Sequence, residues 1–169
     1  MAKILLLLSC SGALLLLDLG SAAEVRGLRP RPSRTDYSVT CFTETIGVGA
    51  TMVSPDQVRR LFGGEMDHSY VVIEVGFYSK NRAAFDVRHS DFALRNHYSR
   101  TLVKPAEPRD IAASLARPLG GLIEKTLPEI STTQAVAGYL FFPITEVNSS
   151  YYELDYKGYG AWLTLPLKP

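Results

Sequence analysis

The side chains able to do chemistry are few and scattered. Of the three histidines, His68, His89 and His97, no two stand at a spacing that would turn both onto one metal ion. Asp67-His68-Ser69 contains the residue types of a hydrolase triad, but neighbours along a chain rarely converge, and a triad is a matter of geometry. The tripeptide reads better as a turn before a strand. Asp86, His89 and Asp91 could cluster beside a strand irregularity; alternation places Asp86 opposite His89, and a divalent site there would need ligands from elsewhere. Glu65, Asp67, Asp86 and Asp91 are the carboxylates from which an envelope-polymer hydrolase could draw a pair, about 5 to 9.5 Å apart across a cleft. Gly47-Val48-Gly49, Gly63-Gly64 and Gly120-Gly121 lack the flanking residues of a phosphate loop. No catalytic residue, metal ligand or cofactor-binding residue is assigned, and no cofactor is expected.

Binding is better represented than catalysis. Tyr139, Phe141, Tyr151, Tyr152, Tyr156, Tyr159 and Trp162 crowd the last third of the chain, and alternation along strands prevents all of them from pointing inward. Tyr139, Phe141, Tyr151, Tyr159 and Trp162 form the candidate interaction surface, suited to a protein or a glycan; the competing account is cross-strand aromatic pairing on a partly covered sheet. Asn148-Ser149-Ser150 matches a glycosylation sequon, which matters only in a eukaryotic secretory pathway.

The elements that would carry these residues alternate with period two. Tyr37 to Ile46 and Val48 to Val53 read as strands. Ser69 to Tyr78 is the clearest, with Val71, Ile73, Val75 and Phe77 on one face. A polar turn, Ser79-Lys80-Asn81-Arg82, leads to a return strand with Phe85 and Val87 inward, so the pair reads as a hairpin. Phe92 and Leu94 resume after a phase slip. Ala135 to Ile144 is a strand, and Tyr151 to Tyr156 with Ala161 to Leu167 forms a terminal hairpin through Lys157-Gly158-Tyr159-Gly160. One helix is fully punctuated: Ser54 caps, Pro55 opens, Gln57 closes a capping box and Gly63 stops it. Val58, Leu61 and Phe62 share its inward face, and the helix is expected to plug one end of the fold. Residues 100–131 read as a long connection with short helices near Asp110 to Ala116 and Leu119 to Lys125.

The beginning of the chain reads as an address. Lys3, the apolar run Ile4 to Leu17 and small Ser21 and Ala23 form the secretory pattern, with cleavage after Ala23. Leu7-Leu8-Ser9-Cys10 loosely resembles a lipid-attachment box, but it lies too early in the apolar run. Loss of residues 1–23 leaves Cys41 as the only cysteine, read as a small buried apolar residue that cannot form an internal disulfide. Residues 24–36, with four Arg and two Pro, read as a flexible linker, and 37–169 as the folded domain. The chain has 169 residues, 18 Lys plus Arg against 17 Asp plus Glu, and no global field to recruit nucleic acid. No membrane-spanning segment is expected after cleavage.

These strands, one capped helix and a mid-chain crossover predict a mainly β fold, an antiparallel two-sheet β-sandwich with one or two short helices. The valine-rich strand, the Ser-Lys-Asn turn, Asp91-Phe92-Ala93-Leu94 and Gly138-Tyr139-Leu140-Phe141-Phe142 resemble the immunoglobulin-like domains of uncharacterised exported bacterial proteins. The resemblance covers about residues 48–167 and implies an immunoglobulin-like β-sandwich outside the cytoplasm, periplasmic or secreted, with no known activity. The antibody-type Cys pair is absent. The expectation is an exported, non-enzymatic protein that binds an envelope or extracellular protein partner; the alternatives are a carbohydrate-binding module using Tyr151, Tyr159 and Trp162, or the hydrolase above.

Overall fold

A computed structural model describes residues 26–115, 121–145, 151–158 and 160–168. The leader with Ala23, the sequon at Asn148, and Tyr159 lie outside the described residues. In chain order the described strands are β1 (Val39–Phe42), β2 (Ile46–Met52), β3 (Tyr70–Ser79), β4 (Phe85–Val87), β5 (Phe92–Asn96), β6 (Leu102–Val103), β7 (Ile130–Thr132), β8 (Val136–Pro143), β9 (Tyr152–Gly158) and β10 (Ala161–Leu167). The helices are α1 (Pro55–Phe62), α2 (Gly64–Ser69), α3 (Pro108–Ser114) and α4 (Leu122–Lys125). Sheet 1 has the order β1-β2-β3-β8, sheet 2 the order β10-β9-β5-β6, and β4 pairs with β7. Every pairing of these strands is antiparallel. The fold is mainly β, as the alternation predicts, and is that of a β-sandwich. Among the described residues no helix is long and apolar enough to cross a membrane.

Period two explains the main core. Ile73, Val75 and Phe77 of β3 are fully buried, with Val71 packed at the margin, against Leu140 and Phe142 of β8. Phe92, Leu94, Leu154, Tyr156 and Leu165 close the other side from sheet 2. Phe77 is its aromatic hub, with the rings of Phe85, Phe92 and Tyr156 centred 5.8, 5.9 and 5.5 Å away.

The return strand after the Ser79 turn does not pair with its predecessor. The turn forms, with positive φ at Asn81 and Arg82, but both edges of β3 are already occupied by β2 and β8. β4 therefore pairs with β7 instead, Phe85 opposite Thr132.

The capped helix stands where its signals place it: Ser54 accepts from the Gln57 backbone N–H, the Gln57 side chain reaches back, and Gly63 follows with φ 88°. Its position differs from the expected plug. The other face of β3 and β8 is apolar at Val72, Tyr139 and Phe141, and α1 lies over that part of it. Val58, Phe62, Met66, Val72, Ile111, Leu122, Tyr139 and Phe141 form a second buried cluster there. Leu61 turns away and is 36% exposed, and Asp67-His68-Ser69 closes a second short helix rather than forming a turn.

Nor are the described residues of the expected linker free of the domain. Leu28 bridges to Ala137 on the outer edge of β8. The Arg31 guanidinium forks onto both Glu74 oxygens at 2.9 and 2.7 Å, and the Tyr78 hydroxyl donates to the Arg31 carbonyl at 2.8 Å. A charge on the outer face of a central strand needs a partner, and a bidentate Arg supplies the most complete one. Tyr37 follows, its ring lying across Gly49 and Gly76, which face each other in the β2–β3 register. A Cβ at either position would overlap that ring.

Candidate binding face

Helices and the N-terminal segment cover much of the outer face of sheet 1, whereas the outer face of sheet 2 displays a connected set of polar and aromatic side chains. On β9 the inward residues Leu154 and Tyr156 alternate with Glu153, Asp155 and Lys157, which point out. Register places Trp162 opposite Lys157 and Thr164 opposite Asp155 on one side, with Ala93 opposite Asp155 and Arg95 opposite Glu153 on the other. The face thus has rows of directly neighbouring side chains, the arrangement in which cross-strand pairs interact.

The middle rows lock their own charges together. Asp155, 3% exposed, is held by the Arg95 guanidinium and accepts from the Thr164 hydroxyl at 2.8 Å. Glu153 gathers His97 at 3.1 Å, Arg100 at 3.8 Å and Arg95 at 4.0 Å. Such a network fixes side-chain rotamers before anything binds, which removes part of the ordering penalty of association.

Aromatic side chains stand at both ends. At one, Tyr98 is 69% and Tyr151 40% exposed, with ring centres 6.2 Å apart and the His97 ring 5.4 and 6.1 Å from them. At the other, Trp162 is 62% exposed and the Lys157 ammonium lies 3.9 Å from its ring centre, a cation–π contact. From Tyr151 to Lys157 is six residues of extended chain, about 20 Å. Trp162 also borders an open cleft of about 620 Å³ with Asp86, Arg88, Asp91 and Lys157. Arg88 pairs with Asp86 at 3.2 Å. Burial raises the Asp91 carboxyl above its ordinary pKa, while Arg88 and Lys104 pull it back and Asp86 pushes further up.

The candidate surface is therefore divided. Trp162 and Tyr151 are exposed on sheet 2, but Tyr139 and Phe141 are not surface residues: at 8% and 1% exposure they lie beneath α1, each in edge-on contact with the Phe62 ring. Alternation correctly turns them away from the main core and is blind to the helix laid over them. Of the four candidate carboxylates, Asp86 and Asp91 share the Trp162 cleft; Glu65 is exposed on α2, and Asp67 is buried against Arg59 at 2.7 Å. His89 is buried with Nε2 2.6 Å from the Leu127 carbonyl, which can only accept, so Nε2 carries the proton. Cys41 is half-buried in β1 and its thiol is pushed up to about 11 by that burial, far from the thiolate a nucleophile needs. Among the described residues no group of three or more His, Cys, Asp or Glu side chains could hold a metal ion. Tyr98, Arg95 and Lys157 were not anticipated from the sequence; the outward positions of β9 were the available signal.

No family model matches the chain, and no curated protein matches it. Among solved structures it is similar to a candidate lipoprotein of Bacillus subtilis, ycdA, at 17% identity and a TM-score of 0.48, over 76% of this chain and 38% of that one. It is also similar to the yjhA protein of Bacillus subtilis at 12% identity and a TM-score of 0.47, over 78% of this chain and 96% of that one. The chain thus spans well under half the length of ycdA.

Proposed function

We propose that this is an exported, non-enzymatic β-sandwich that binds a protein partner of the envelope or extracellular space through the outer face of sheet 2. The leader pattern of residues 1–23 supports export. One observation carries the binding reading: the outer face of sheet 2 holds paired, largely buried charges in its middle and exposed aromatic rings about 20 Å apart at its ends. That span suits one side of a standard protein interface, roughly 800 Å², and Tyr, Trp and Arg are the residue types that dominate such contacts.

Immobilised chain from residue 24 onward should retain a partner from envelope extract. The variants Trp162→Ala and Tyr98→Ala/Tyr151→Ala should each lower that retention about thirtyfold, the loss of a strong contact residue. Unaltered retention by both would discard this face.

The Trp162 cleft favours a second reading, saccharide binding: a ring for the apolar face of a sugar, flanked by carboxylate and guanidinium groups for its hydroxyls. Trp162 is the only tryptophan in the chain, so intrinsic fluorescence titrated with soluble envelope glycans reads this site directly. Saturable quenching would favour the saccharide; none would leave the protein partner alone.

A further inference from the structure

The charges on the outer face of sheet 2 are sorted by depth. Its carboxylates lie low: the side chains of Asp155 and Glu153 are 4% and 19% exposed. The cations stand higher. The Arg100 side chain is 60% exposed and comes no nearer to Glu153 than 3.8 Å, beyond hydrogen-bond distance, so its donors remain unspent. Lys157 is exposed, and its ammonium lies over the Trp162 ring, a contact that gives none of its N–H groups an oxygen. At the Trp162 end Asp86 is paired with Arg88, and Asp91 is half-buried within the fields of Arg88 and Lys104.

The two available cations have a fixed spacing. Glu153 and Lys157 are outward positions on β9 four residues apart, about 13 Å along a strand, and Arg100 stands beside the first. The loop that presents Arg100 is tied down: its backbone N–H donates to the Asn96 carbonyl at 3.0 Å, and the Asn96 side chain accepts from the Tyr98 N–H at 2.9 Å. Arg100 holds a φ of 62°, a left-handed conformation that residues other than glycine seldom adopt. A cationic partner would meet exposed guanidinium and ammonium groups with the compensating carboxylates out of reach, and like charges set against each other across an interface oppose binding. We infer that the partner received by this face is an acidic protein segment, with two carboxylates about 13 Å apart for Arg100 and Lys157 and apolar side chains for the neighbouring aromatic rings. The inference rests on the reading of sheet 2 as a docking face and names the chemistry of what docks there.

A capped peptide, Gly-Glu-Thr-Tyr-Thr-Glu-Gly, places two carboxylates and one ring on the same side of an extended chain, and its counterpart with Gln for both Glu removes only the charge. In amide NMR of the isotopically labelled chain from residue 24, the Glu peptide should shift the Trp162 indole N–H and the amides of residues 97–100. The Gln peptide should bind about tenfold more weakly, the loss of close charge pairs. The difference should shrink as added salt shortens the screening length. Arg100→Glu/Lys157→Glu, at two exposed positions, should abolish or reverse the preference, and it should lower retention of envelope protein as Trp162→Ala does. Inorganic pyrophosphate should compete poorly with the Glu peptide. Absence of shifts with the Glu peptide, equal affinity for the two peptides, or displacement by pyrophosphate at lower concentration would overturn the inference. Retention that falls with Trp162→Ala but survives the double reversal would also overturn it while leaving the docking face in place; retention lowered by no variant removes the face and the inference together. Should the double reversal fail to fold, the peptide pair on the native chain decides the question.

Discussion

Asp91 illustrates what a single side chain reveals. Its carboxyl is raised above the ordinary range mainly by burial, so the folded protein holds that proton more tightly than the unfolded chain does. The sign follows: this group favours the folded state at low pH, and that contribution is lost as pH rises through the folded pKa. Asp91→Asn should therefore raise Tm at pH 7, by an amount on the order of 1–2 °C, and the gain should vanish as pH falls toward the ordinary Asp value of about 3.9. Thermal melts across pH 4 to 8 check it; a gain independent of pH would contradict the assignment. The residue types at the binding face were partly legible. Tyr151 and Trp162 announce themselves as aromatics in outward register, whereas the Arg95–Asp155 pair joins residues 60 apart and is created only when β5 and β9 pair.

Elements were more legible than their partners. The capping box and stop glycine locate α1, because those are local hydrogen-bond requirements of a helix end. Where α1 would rest depends on Val72, Tyr139 and Phe141 making part of the second face of β3 and β8 apolar, and alternation cannot say which partner covers it. The contact is testable at Phe62, whose ring meets Tyr139 at 5.4 Å and Phe141 at 5.3 Å. Phe62→Ala should destabilise the protein by about 3–4 kcal/mol in urea unfolding, and it should raise the solvent accessibility of Tyr139 while leaving the Phe77 hub in place. The β4–β7 pairing was illegible for a related reason. Hairpin signals are short-range, and the competition for the edges of β3 is settled by strands far along the chain.

At the scale of the molecule, the two outer faces differ in kind. Sheet 1 is overlaid by helices and by Tyr37 with the segment from Leu28 to Asp36, the latter within the stretch 24–36 that sequence composition marks as a tether because composition counts arginines and cannot see that Glu74 pairs with one. A chain beginning at Tyr37 should fold but lose about 2 kcal/mol, measured by urea titration against the chain from residue 24; equal stability would mean the segment only rests on the sheet. Leu28 has a wider consequence. It bridges to Ala137, Thr126 bridges to Tyr139, and the Ala106 N–H donates to the Phe141 carbonyl, so along β8 the backbone groups that another copy would need for strand addition are partly taken. The same stretches of chain that close this fold also hinder its growth into fibrils, a safeguard against self-templating that costs the protein no charged residue on the strand itself.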